Sequence, residues 1–350
     1  MIIKIDNKID ILSLTYGELE GIIIEMGEPK FRAKQIYGWI TKGAWGSEMK
    51  NIPTSLQKKL DDVFVFTLPK VKTKLVSRLD GTVKYLFELY DGEYIESVFM
   101  KYEHGNTLCI SSQVGCRMGC KFCASTLAGR IRDLYPSEML GQIISAQKDT
   151  GERISNVVMM GIGEPLDNYD NTIAFLNLVS SENGLNIGLR HISVSTCGIV
   201  DKIDKLSCEG LPITLSISLH AYDNDVRGAI MPINNKYPIE MLLSACNNYF
   251  QKTGRRISFE YTLIHGKNDT TEGAVALANL LKRYMKGSCH VNLIPLNEVK
   301  ETRLETSKNI NNFKNKLISL GINATVRRRL GSDINASCGQ LRRQTKEEDK

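Results

Sequence analysis

Cys116, Cys120 and Cys123 lie in the stretch GCRMGCKFCAS, so three thiols with CxxxCxxC spacing crowd into eight residues of a 350-residue chain. Thiolates are soft ligands that suit zinc or iron-sulfur clusters. Four sulfurs close a structural zinc site, whereas three on one loop would leave one iron of a cubane without a protein ligand, open to a small molecule. Two plainer readings share this spacing: a zinc site completed by a distant ligand, and a redox pair of Cys120 and Cys123 with Cys116 as bystander. The other cysteines are scattered and the total of nine is odd, unlike the framework of a disulfide-stapled secreted domain, so reduced thiols and a metal are expected.

The elements that must position these thiols follow from periodicity. Residues 1–63 read as a small helical accessory domain, with apolar positions at helical spacing in LTYGELEGIIIEMG and FRAKQIYGWI and with Pro53 at the start of a third segment. Residues 64–105 alternate and gain β-branched types, with turn signals at Asp80-Gly81 and Asp91-Gly92, and read as a β-extension or linker. From Thr107 onward short apolar runs (TLCISS, SNVVMMGI, HISVST, ITLSISL, ISFEYTLI, HVNLIPL) alternate with helical stretches, which calls for βαβ units and a parallel sheet. About six strands precede ATVRRR, fewer than the eight of a complete TIM barrel. The expected fold is therefore α/β, a partial (β/α)6-type TIM barrel over 106–330, with residues 331–350 as a C-terminal tail.

The cysteine loop follows the first strand of this series, and barrel enzymes place their chemistry at the C-terminal ends of strands. The second strand ends in MMGIGEPLDN, where Gly163 would let backbone approach a ligand and Glu164 offers a carboxylate to an ammonium; as a bare motif, Gly-Glu-Pro is also a plausible turn. The cluster motif and its place resemble the radical SAM superfamily, whose members hold a 4Fe-4S cluster and S-adenosylmethionine (SAM). TLCISSQVGC, KFCAST, GIGEPLDN, ISVSTCGIV, SISLHA, MPINNKYPIE, NLIPLN and INASCGQL together resemble the bacterial adenine-C2 methyltransferases of 23S rRNA and tRNA, the RlmN family, over nearly the whole chain. FRAKQIYGWI resembles the start of that family's accessory domain. The nearest relatives, the Cfr group, methylate carbon 8 of the same ribosomal adenosine; CAST and GEP favour the carbon 2 family. Ile162 and INASCGQL depart slightly from the usual pattern, outside the expected reactive groups.

The resemblance implies that Cys116, Cys120 and Cys123 bind the cluster and that Gly163, Glu164, Ser195, Ser218, Leu219, His220 and Asn297 contact SAM. Taken singly, His220 would be a structural histidine, and Ser195 and Asn297 would cap turns. Carbon 2 of adenine is electron-poor, so ordinary transfer from a sulfonium should fail. The family's solution uses two SAM per turnover, one to methylate a cysteine and one to remove a hydrogen from that S-methyl group. Cys338 matches the methyl-carrying cysteine, Cys109 the thiolate that frees the product by forming a Cys109–Cys338 disulfide, and Glu96 the proton acceptor, a role for which Cys109 is the alternative. Cys197, Cys208, Cys246 and Cys289 have apolar neighbours and read as packing residues.

The chain carries 45 basic and 39 acidic residues, a formal charge of +6 that is weak evidence for RNA on its own. Lys30, Arg32, Lys34, Arg327, Arg328 and Arg329 are the basic residues that would meet phosphates, although a charge run is usually a solvated face. No apolar run approaches a membrane span and the N-terminus lacks a cleavage signal, so a cytoplasmic location and no membrane partner are expected. By resemblance the partners are 23S rRNA, tRNA and an electron donor such as flavodoxin or ferredoxin, acting on a monomer. A zinc-containing RNA-binding protein without catalysis is the competing class. Colour separates them: anaerobically purified protein should be brown with about four iron and four sulfide per chain, and a colourless protein with one zinc would select the other class.

Overall fold

The computed structural model describes residues 2–285, 289–297, 304–337 and 340. Ten strands cross one sheet in strict chain order. Three of them, β1 (Lys70–Val76), β2 (Val83–Glu88) and β3 (Tyr94–Met100), form an antiparallel meander. Seven parallel strands follow: β4 (Thr107–Cys109), β5 (Asn156–Met159), β6 (Ile192–Thr196), β7 (Thr214–Ser218), β8 (Ile257–Leu263), β9 (Cys289–Pro295) and β10 (Ala324–Val326). The six strands read from the sequence are present, and the short β10 at ATVRRR adds a seventh. Residues 64–105, read as a β-extension or linker, carry the meander, and β3 pairs antiparallel with β4 (Val98 opposite Cys109), so the region extends the sheet.

The helical region holds α1 (Tyr16–Glu25), α2 (Phe31–Ile40) and α3 (Thr54–Val63). Thr15 starts α1 with a reciprocal cap: its hydroxyl accepts from the Glu18 N–H at 3.3 Å while the Glu18 carboxylate accepts from the Thr15 N–H at 2.8 Å. A small sheet of Lys4–Ile5, Lys8–Asp10 and Phe64–Val65, absent from the sequence reading, brackets these helices. Pairs this short carry little periodicity to read. The parallel strands are connected by α4 (Pro136–Thr150), α5 (Tyr169–Ser180), α6 (Val200–Leu206), α7 (Asn224–Ile230), α8 (Ile239–Thr253), α9 (Thr271–Tyr284) and α10 (Ile310–Ser319).

Alternation along each strand separates two environments. Val157, Val194, Leu215, Ile217, Phe259 and Leu293 are wholly buried and join one hydrophobic core with the accessory helices. The opposite face carries Ser193, Ser195, Ser218, Ser258, Glu260 and Asn292, which line internal cavities. A closed TIM barrel fills its interior with branched side chains; here small polar residues leave it hollow.

Two anchors hold the chain around this hollow. The C-terminal segment crosses to the β1–β2 turn, where the Asp333 carboxylate accepts from the Ser77 hydroxyl at 2.7 Å and the Arg78 N–H at 2.9 Å, and the Gly331 N–H donates to Asp80 at 2.9 Å. A hairpin of Gln113–Gly115 and Arg130–Asp133 bounds the cysteine loop. Its Arg132 donates to both carboxylate oxygens of Glu138, at 2.8 and 2.7 Å, and to Asp91 at 2.7 Å; Glu138 in turn accepts from the Tyr135 N–H at the start of α4. Removing one partner of a buried ion pair strands the other, so Arg132→Met should destabilise the protein by about 3 kcal/mol. A thermal midpoint equal to that of the unaltered protein would show that this fork does not anchor the loop.

Candidate active site

The cysteine loop is drawn into a tight return. Gly115 has φ +76, and a Cβ there would sit 1.8 Å from the Gly129 carbonyl oxygen, so only glycine fits. The Cys116 N–H donates to that same oxygen at 3.1 Å, and the Lys121 N–H donates to the Ile230 carbonyl at 3.0 Å. All three thiols then line one open cleft. Burial, with the neighbouring Cys123 thiol, pushes Cys116 up to about 12, and burial raises Cys120 as well. Three such thiols need a cationic group to become thiolates together, and an iron-sulfur cluster supplies that charge. Among the described residues no three His, Cys, Asp or Glu side chains stand close enough for a single metal ion. A cubane spreads its cysteines over separate irons, so thiols that share a cleft without meeting at one point fit the larger group.

The strand ends opposite the loop carry most of the residues expected to contact SAM. Gly163, Glu164, Ser195, Ser218, His220 and Asn297 all line the same cleft. Glu164 is buried, and its carboxylate accepts from the Cys197 N–H at 2.7 Å and the Leu166 N–H at 3.0 Å, tying the end of β5 to the end of β6. Burial raises its pKa above the ordinary carboxylate value against the pull of those N–H donors. No side chain fits at Gly163: at φ +110, a Cβ would lie 2.7 Å from Gln113 backbone and side-chain atoms and from the Ser112 hydroxyl. Leu219 does not line the cleft; it is fully buried, its N–H donates to the Glu260 carbonyl, and its own carbonyl accepts from Arg227. His220 has φ +54, and its Nδ1 accepts from the Thr262 N–H at 2.9 Å, which leaves the proton of the neutral ring on Nε2.

A second, smaller pocket opens beside the cleft and shares Met160, Ile294, Pro295, Asn297 and Arg327 with it. Cys109 and Ser337 both line it. Cys338 lies outside the described residues, but its neighbour Ser337 is held by a hydroxyl bond to the Leu330 carbonyl at 2.9 Å, and Ala336 packs in one apolar cluster with Val98, Met100 and Cys109. Glu96 lines neither cavity. It is 1% exposed, on the same face of β3 as Val98, and its carboxylate pairs with Lys84 at 2.7 Å while Lys84 also donates to the Asn335 carbonyl at 3.3 Å.

Known proteins share this arrangement. The profile of the Radical SAM superfamily matches residues 110–278, and that of the ribosomal RNA large subunit methyltransferase N-terminal domain matches residues 9–66. A probable dual-specificity RNA methyltransferase RlmN of Clostridium tetani (strain Massachusetts / E88) is 54% identical over 96% of this chain and 97% of its own. The probable RlmN of Clostridium botulinum (strain Eklund 17B / Type B) is 56% identical over 95% of this chain and 96% of its own. The chain belongs to the RlmN family. A solved radical SAM methyltransferase from Sphaerobacter thermophilus superposes with a TM-score of 0.90 at 40% identity, covering 95% of this chain and 98% of that one. Membership in this family of enzymes sets aside the non-catalytic zinc protein.

Sequence reasoning missed three residues of this RlmN-family site. Arg227 is fully buried, and its guanidinium donates to the carbonyls of Cys197 (2.7 Å), Ser218 (3.1 Å) and Leu219 (3.1 Å) and to the Asn234 side-chain oxygen (3.2 Å). It thereby satisfies carbonyls at the ends of β6 and β7 that the sheet leaves unpaired. Cys197, expected to be a packing residue, forms part of the cleft wall, and Glu260 lines the cleft from mid-strand. Spacing gives no signal for Arg227, since its partners are 7 to 30 residues away. His220 supplies a pH test. Burial and then Arg227 lower its pKa to about 3, whereas an unfolded histidine titrates near 6.5. Below about pH 6.5 the unfolded chain takes up a proton that the folded chain refuses until about pH 3, so this group's contribution is present above pH 6.5 and lost as pH falls. Between pH 7.5 and 5.5 the thermal midpoint should therefore fall more for the unaltered protein than for His220→Gln; parallel falls would contradict it.

Proposed function

We propose that this enzyme methylates carbon 2 of an adenosine in the peptidyl-transferase centre of 23S rRNA and of the adenosine 3′ of the anticodon in some tRNAs. The observation that carries this reading is the placement of Cys109 and Ser337, the neighbour of Cys338, on one pocket that shares a wall with the cysteine-lined cleft. When bound on Cys116, Cys120 and Cys123, a 4Fe-4S cluster with SAM supplies reductive cleavage of a sulfonium and, through it, hydrogen abstraction. The remaining roles fall to the chain. Glu164 accepts from the SAM ammonium, and the Nε2–H of His220, with Ser195, Ser218 and Asn297, offers polar contacts to the nucleoside and amino-acid parts.

Cys338 carries the methyl group into the side pocket as its S-methyl thioether. After one hydrogen is removed from that methyl, the carbon radical adds to carbon 2 of adenine and joins the base to the Cys338 sulfur; loss of the carbon 2 proton, with return of one electron to the flavodoxin- or ferredoxin-type donor that supplies SAM cleavage, leaves a closed-shell adduct. The Cys109 thiolate then attacks that sulfur, the carbon–sulfur bond breaks, and a Cys109–Cys338 disulfide forms. The leaving carbon takes a proton to become the methyl group, and an external thiol reductant returns both cysteines to thiols by exchange. Glu96 takes the carbon 2 proton; since its carboxylate is paired with Lys84, that transfer weakens the ion pair. Two SAM are used per turnover, and a flipped adenosine must reach the pocket.

The two thiols fail in opposite ways. Cys338→Ala should form neither methylated RNA nor a covalent protein–RNA species. Cys109→Ala should accept the methyl and add to the base, then stall as a nuclease-sensitive upward shift on a denaturing gel. Normal turnover by both variants, or failure of both without an adduct, sinks the paired roles; 8-methyladenosine in place of 2-methyladenosine by mass spectrometry would move the protein to the carbon 8 chemistry.

A further inference from the structure

The hollow sheet has a second opening, at the N-terminal ends of the parallel strands, away from the cysteine loop. There the lumen widens to an open volume of about 1630 Å³, against about 510 Å³ for the side pocket that holds Cys109. Arg190, Arg256, Arg327 and Arg328 line this mouth, with Glu103 as the acidic residue among them and His104, His191 and His290 beside them. Arg190, Arg256 and Arg328 are exposed, and the ion pairs among the described residues leave all three out. The groove at the opposite, C-terminal end is different: Arg117, Lys202 and Lys236 meet Asp167 and Asp201 there, and Arg117 is already bonded to Asp167 through both oxygens.

The mouth also carries aromatic surface. The rings of Tyr102 and His104 stack at 5.1 Å with planes 22° apart, in the loop between β3 and β4. Tyr102 lines both the mouth and the Cys109 pocket, as do Met100, Arg327 and Arg328, and Arg327 reaches the cysteine-lined cleft as well. The basic opening, the Cys109 pocket and the cysteine-lined cleft therefore share walls, with Tyr102 between the first two and Arg327 common to all three. Cations that track a backbone and aromatic faces that receive bases are the two parts of a single-strand RNA site.

We propose that the RNA enters the barrel through this N-terminal mouth, with its phosphates on Arg190, Arg256 and Arg328 and a base stacked against Tyr102 on the way to Cys109. This rests on the RNA methyl-transfer reading above. The test is fluorescence anisotropy of a labelled RNA stem-loop with adenosines in its loop, titrated with cluster-loaded full-length protein at several salt concentrations. The visible absorbance of the cluster serves as the check on folding. The double variant Arg190→Ala and Arg256→Ala should bind about tenfold or more weakly at low salt, and its salt slope should fall by about 1.4 to 1.8. Tyr102→Ala should lose about tenfold with the slope unchanged, and Tyr102→Phe should retain affinity because stacking, not the hydroxyl, is at issue. Unaltered affinity and slope in the double variant, or an equal loss from Lys202→Ala at the other end, overturns the mouth while leaving the methyl-transfer reading intact. Failure of the unaltered protein to bind the stem-loop at all overturns both.

Discussion

Along the parallel strands, successive side chains point to opposite faces, and in this protein one face is bulky and apolar while the other is small and polar. Burying Val194, Leu215, Ile217 and Phe259 under helices drives the sheet to form. Placing serines at the alternate positions keeps its interior from filling. Everything the protein does depends on that vacancy: the cysteine loop caps one end, the arginines line the other, and the C-terminal segment lies along the side. A barrel interior packed with Val and Leu would be more stable in itself and would leave no room for a cofactor or a base.

A hollow interior costs the strand ends the neighbours that would normally satisfy them. Arg227 and Glu164 take over that task with opposite charges. The guanidinium gathers the carbonyls of Cys197, Ser218 and Leu219, and the carboxylate gathers the N–H groups of Leu166 and Cys197. Cys197 is bonded to both, so the ends of β5, β6 and β7 are locked to one another directly beside the cysteine loop. Such polar networks are worth having only when every member is satisfied, and this one has backbone partners at close to ideal distances. The same arrangement explains why His220 stays neutral: burial and the nearby Arg227 both oppose a second cation.

The side wall works differently. Val98, Met100, Cys109 and Ala336 form a small apolar cluster separate from the main core, under a C-terminal segment fixed through Asp333, Gly331 and Ser337.

The amino-acid sequence by itself determined what is local. Three closely spaced cysteines within one loop, a Gly-Glu-Pro turn at a strand end and strands alternating with helices are all encoded within short windows, where backbone geometry follows spacing. The serine alternation in ISVST and TLSIS was equally local and marks a hollow interior, a signal that periodicity alone does not interpret as empty space. Tertiary structure decided the rest. The approach of Ser337 to Cys109, the pairing of Lys84 with Glu96, the removal of Leu219 from the cleft and the gathering of Arg190, Arg256 and Arg328 at one mouth join residues far apart in the chain. Their proximity is set by how the sheet curves and which helices cover it, and no spacing within a window records that curvature.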